Sequence, residues 1–134
     1  MVVDASVMVS SVLPSDVHHG TSRGWLSRHV DGGGLVLAPT LLLAEVAGAL
    51  ARRTGAPRLG RQAIDALLRL PTLRLIALDE PLAREAADFA ARLHLRGGDA
   101  VYIAVAAVLG VPLVTWDAEQ RLRAARVVDV VAPT

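Results

Sequence analysis

The stretch LRGGDAVYIAVAAVLGVPLVTWD, Leu95–Asp117, holds a helix, a break and a strand in immediate succession. A glycine pair and Asp99 open it, and VYIAVAAVL (101–109) is an apolar run of helical length. Gly110 and Pro112 then interrupt the helix. The short apolar strand PLVT (112–115) follows, and the segment ends in a second acid, Asp117. Helix, tight break and buried strand are half of a βαβ unit, which predicts an α/β protein with a parallel sheet. Asp99 falls at the start of the helix and Asp117 at the carboxyl end of the strand. In open α/β sheets ligands bind at that end.

Working outward, the same alternation covers the whole chain. Met1–Asp4 reads as a strand, with Ser6 capping a brief apolar helix that stops at Pro14. A helix is expected over about 16–30, weakened by Gly20 and Gly24. The loop Asp31-Gly32-Gly33-Gly34 leads to a strand at Leu35–Ala38. Thr40 is expected to cap the helix TLLLAEVAGALARR, which carries arginines in its last turn and stops at Gly55. A helix over about 57–70, a strand at Leu73–Leu78 and a helix from Asp79 or Glu80 to Leu95 precede the central stretch. A short helix at Ala118–Ala125 and a strand at Val127–Val130 follow it. The expectation is a single domain, 1–134, with a three-layer α/β/α architecture around a central, mainly parallel sheet.

Composition narrows the chemistry. The chain has no Cys, which removes a thiol nucleophile, and all 14 of its basic residues are Arg, which removes any mechanism that needs a lysine. The histidines His18, His19, His29 and His94 make no HExxH zinc pattern, and there is no GxxxxGK phosphate loop. No apolar run is long enough to span a membrane, and MVVDAS lacks the basic start of a signal peptide. A cytoplasmic location is the default expectation. If four of the 13 acids gather in one pocket, nine remain against 14 arginines. An acidic pit in an Arg-rich surface suits a polyanionic substrate held beside a metal ion; arginines scattered over solvated helix faces are the plain alternative.

Four acids deserve separate weighing. Asp4 ends an apolar strand, where a carboxylate either caps the next helix or faces a site. Glu45 has Leu41, Leu42, Gly48 and Ala49 one turn away and no charge partner among them. Asp99 and Asp117 both suit helix starts, and Asp117 with Gln120 has nearly the spacing of a capping box. Alternation places Thr115 and Asp117 on one side of their strand and Trp116 on the other. Singly, each acid has an ordinary explanation. Together, two end strands and two lie near helix starts, so all can meet at the carboxyl edge of one sheet. Clustered carboxylates repel one another in a low-dielectric cleft unless a cation neutralises them, and hard cations such as Mg²⁺ and Mn²⁺ prefer oxygen ligands. Ser6 and Thr115 are candidates for orienting the carboxylates or bound water.

The succession VVDAS, LLLAEV, GGDAVYIAVA, LVTWD resembles the PIN domain, and in length and Arg-rich flanks a VapC-type toxin of a bacterial toxin–antitoxin pair. The resemblance covers essentially the whole chain. It implies a Mg²⁺- or Mn²⁺-dependent endoribonuclease, the toxin of a type II pair, with Asp4, Glu45, Asp99 and Asp117 as catalytic metal ligands. Ser6 and Thr115 match the supporting hydroxyl positions. Glu119 is a possible extra ligand, and Arg96, Arg121 and Arg123 lie nearest the acids in sequence. Trp116 stands where a smaller residue is more common. The resemblance also implies an RNA substrate, a homodimer and a cognate antitoxin; the mean hydropathy of +0.45 agrees with apolar surface covered by another chain. The alternative is a PIN-like fold that binds RNA or a protein without catalysis. Haloacid-dehalogenase-type phosphatases and response-regulator receivers share the strand-end acid but typically need a lysine.

Overall fold

In a computed structural model describing residues 1–134, the elements follow in βα order. They are β1 (Val2–Val3), α1 (Ala5–Val12), α2 (His19–Asp31), β2 (Val36–Pro39), α3 (Leu41–Thr54), α4 (Pro57–Leu68) and β3 (Leu73–Ile76). After them come α5 (Glu80–Leu93), α6 (Gly97–Leu109), β4 (Leu113–Val114), α7 (Ala118–Ala124) and β5 (Val130–Val131). Five parallel strands form one sheet in the order β3-β2-β1-β4-β5. With crossovers of the usual right hand, the reversal in strand order puts α1–α4 on one face and α5–α7 on the other, the expected three layers. The chain leaves β1 in one direction and returns to β4 on its other side. The carboxyl ends of these two central strands therefore flank the point where strand order reverses, and a crevice opens there.

Burial follows the apolar pattern. Val2 and Val3 are fully buried, and every residue from Ala100 to Ala106 lies in the core. Helix α6 is apolar all round because it lies over β1, β2 and β4. Helix α5 is amphipathic and buries Leu82, Ala86, Phe89 and Leu93 along one stripe. Gly55 and Gly110 end α3 and α6 in the left-handed conformation, at φ 71° and 63°. Gly60 lets α4 lie close on α3, since a Cβ there would stand 2.6 Å from the Ala47 carbonyl oxygen.

Several local expectations shift. The cap of α1 is Asp4 and not Ser6: the Asp4 carboxylate accepts from the Ser6 amide. Thr40 makes no side-chain cap; it lies in helical conformation, and its amide donates to the Ile76 carbonyl, prolonging the sheet. Helix α2 starts at His19, because Asp16 spends its carboxylate on the His18 amide. The last strand lies beyond Val127 and Val128, whose amides close a turn on the Ala124 carbonyl. The glycine pair 97–98 lies inside α6 and not before it.

Candidate active site

Asp4, Glu45, Asp99 and Asp117 line a single cleft of about 600 Å³ at the carboxyl edge of the sheet. They come from four different elements. Asp4 follows β1 and is 7% exposed. Its Oδ2 accepts from the Ser6 amide at 2.9 Å and from the Thr115 hydroxyl at 3.2 Å. Thr115 Oγ1 is also 3.4 Å from Ser6 Oγ and accepts from the Asp117 amide at 3.1 Å. Asp117 Oδ1 in turn accepts from the Gln120 amide, capping α7. The ordinary and the functional explanations of Asp4 and Asp117 therefore coexist. One oxygen of each carboxylate caps a helix, which fixes the rotamer of a group lining the cleft.

Glu45 projects from α3 and Asp99 from the first turn of α6, both half-buried. Tyr102 donates its hydroxyl to Glu45 Oε2 at 2.6 Å. Gly98 allows α6 to come this close to α3: a Cβ there would lie 2.9 Å from Glu45 Oε1. Gln120, buried in α7, donates its side-chain amide to the Asp99 carbonyl and ties α7 to α6.

The acids strain against one another electrostatically. Burial, then the charges of Asp4 and Asp117, push the Asp99 carboxyl up to about 6, with Arg96 opposing. Burial likewise raises Asp4, helped by the charge of Asp117, and raises Glu45, helped by Asp4. Burial and the bond to Glu45 keep the Tyr102 hydroxyl protonated. As the side chains stand, no three acidic or imidazole groups are close enough to grip one ion. The donor set is nonetheless all oxygen, and the four acids outnumber the arginines Arg52, Arg53 and Arg96 of the same cleft, the chemistry that suits a hard divalent cation. Holding one requires the free carboxylate oxygens to close in.

The PIN domain family matches this sequence over residues 1–126. The chain belongs to the PIN domain family. Its fold is shared with VapC20 of Mycobacterium tuberculosis, a sarcin-ricin loop cleaving toxin, at a TM-score of 0.74 and 24% identity over 90% of this chain and 92% of that one. FitAcB from Neisseria gonorrhoeae superposes at 0.73 with 20% identity, over 98% and 96% of the two chains. VapBC2 from Rickettsia felis, bound to a DNA fragment from its promoter, gives 0.71 at 12% identity over 98% and 96%. Identities this low establish a common fold. No curated protein matches the sequence significantly.

The rim of this PIN domain differs from the expectation drawn from sequence proximity. Arg96 lines the cleft, but Arg121 donates to the carbonyls of Thr115 and Trp116, and Arg123 to those of Leu93 and His94. Glu119 pairs with Arg123 and lies outside the cleft lining. Arg52 and Arg53, at the end of α3, line the cleft although both are distant from Asp99 and Asp117 in sequence. Arg52 lies seven residues beyond Glu45, two turns along the same helix face, a spacing visible in the sequence. Tyr102 was equally findable, because it follows Asp99 by three residues on an apolar helix.

Proposed function

We propose that this PIN domain is a Mg²⁺- or Mn²⁺-dependent endoribonuclease acting as the toxin of a type II toxin–antitoxin pair. One observation carries the reading: four carboxylates from four elements line one cleft at the point where strand order reverses. Asp4, Asp99 and Asp117 would hold the cation. A divalent ion bound there supplies charge neutralisation and an activated water for phosphodiester hydrolysis. Glu45 would complete the ligand set or accept a proton from the attacking water, with the Tyr102 hydroxyl fixing its orientation. Ser6 holds Asp4 in place through its main-chain amide and Thr115 through its hydroxyl, with the Ser6 hydroxyl beside that of Thr115. Arg52 and Arg96, on opposite elements of the cleft, suit the phosphates flanking the scissile bond. Asp4 and Asp117 also cap helices, but the like charges of Glu45 and Asp99 brought up to them burden a fold that only binds RNA or protein, and this favours catalysis over the binding alternative.

The proposed partners are RNA, a cognate antitoxin and a second copy of the chain. Structural relatives include a toxin–antitoxin complex from Klebsiella pneumoniae, which supports the antitoxin. Exposed Val108, Leu109 and Leu122 support a homodimer; a monomer by light scattering at high concentration would contradict it. No helix is long and apolar enough to cross a membrane, and a cytoplasmic site of action is part of the proposal. The test is cleavage of structured RNA with Mg²⁺ or Mn²⁺, expected to vanish with EDTA and in Asp4→Asn. Equal cleavage by Asp4→Asn would assign the activity elsewhere.

A further inference from the structure

We propose that His18 and Trp116 form a stacking platform for an unpaired RNA base beside the acidic cleft; this rests on the ribonuclease reading. Both rings line the same cleft as the four acids. They stack face to face, with centroids 3.7 Å apart and planes within 8°. The chain holds only two Trp, one Tyr and one Phe. Trp116 nevertheless lies half-exposed, between Thr115 and Asp117, and not in the core.

Two hydrogen bonds hold Trp116, one from its main chain and one from its indole. Its main-chain amide donates to Ser6 Oγ at 3.1 Å, and its Nε1 donates to Ser22 Oγ at 2.7 Å. Ser22 is fully buried and is bonded to the buried Ser10 hydroxyl at 2.7 Å. A buried hydroxyl relay thus orients a ring at the surface. The imidazole side is anchored as well: the His18 amide donates to Asp16, and Asp16 pairs with Arg53 of α3 at 2.6 Å. The rings are in van der Waals contact, so a base extends the stack and does not enter it.

An aromatic floor beside arginines that can follow the phosphates is the recipe for single-stranded nucleic acid. A base paired within a duplex has no free face to offer. The platform therefore selects a splayed-out base in a loop or single strand, next to the phosphate over the acids.

The experiment uses the full chain carrying Asp99→Asn, so that RNA is not cut, and Trp25→Phe, so that fluorescence reports Trp116 alone. Titration with a ten-nucleotide single strand of mixed sequence is expected to quench this tryptophan, and the matching duplex is not. Binding of a labelled single strand should weaken roughly 10-fold in Trp116→Leu and recover in Trp116→Phe. The same oligomer built with abasic sites should bind Trp116→Leu and its parent alike. Absence of binding, absence of quenching, or equal affinity of Trp116→Leu for the normal strand would overturn the platform. Because binding is read without cleavage, RNA that binds and quenches but is never cut by the unmutated chain retires the nuclease reading and leaves this one standing.

Discussion

On the strand side of the cleft, Asp4 and Asp117 each commit one oxygen to a main-chain amide, and Thr115 links them through its hydroxyl. On the helix side, Glu45 and Asp99 sit half-buried on α3 and α6, oriented by Tyr102 and by the close approach at Gly98. The first pair is built into the ends of the sheet and caps helices as well as lining the cleft. The second pair is brought up to it and raises the electrostatic cost of the cleft. The contrast teaches that half of the cleft is held by the sheet and that the other half, in the proposed function, waits for a counter-charge.

The largest expected effect breaks this comparison on the helix side. Asp99→Asn should lower RNA cleavage by more than about 100-fold, beyond the loss typical of a group that only supports a metal ligand. It should also make the metal-free protein more stable at neutral pH, because a carboxylate raised by burial and like charge is removed. Solvent screening limits that gain to about 1 kcal/mol, read as a melting-point rise of a few degrees. A variant that loses both activity and stability would mean that Asp99 is a folding residue.

On the strand side, Thr115→Val removes the hydroxyl that donates to the Asp4 carboxylate and accepts from the Asp117 main-chain amide. Cleavage should fall roughly 10- to 100-fold, with a matching loss of metal affinity and little change in fold. Unchanged metal affinity would show that the carboxylates hold themselves.

Stability against pH sharpens the contrast. Asp99 releases its proton near pH 6 when folded and at an ordinary value of 3.8 when unfolded. Between those values the folded state holds more protons, so stability falls as pH rises through the window. The metal-free protein should melt lower at about pH 7 than at about pH 5, and Mn²⁺ should raise the melting point more at the higher pH. A melting point that climbs across the window would contradict the poised half.

The smallest effect separates the two duties of Asp117. Asp117→Asn keeps an N-cap oxygen for α7 and loses only charge, whereas Asp117→Ala should also lose about 1 kcal/mol in denaturant unfolding. Equal stability of the two variants would mean that the cap contributes nothing.

The legibility of the sequence divides along the same line. Strand ends and helix starts are marked by local chemistry, so the parallel sheet is legible from apolar runs punctuated by Gly and Pro, and Asp4, Asp99 and Asp117 are legible by their shared place at its carboxyl edge. Glu45 shows only as an acid on a mostly apolar helix face. The sequence offers both Asp4 and Ser6 as caps of α1, because Asp and Ser are equally good caps, and the structure takes Asp4. The final strand slipped because 127–131 is apolar almost throughout and has no period to fix its register. Proximity along the chain pointed to Arg121 and Arg123, but both fold back onto main-chain carbonyls. The spacing of Arg52 from Glu45 on α3 is local pattern, but the pairing of Tyr102 with Glu45 depends on how α3 and α6 meet, a tertiary fact that local pattern does not encode.

The most direct test is calorimetric titration of the purified chain with Mn²⁺ at neutral pH, repeated for Glu45→Gln and Asp99→Asn. A shared site predicts saturable binding to the parent and markedly weaker binding to both variants, although their residues lie on different helices. Binding that ignores either substitution, or no binding at all, would contradict the claim that the four carboxylates form one cation site.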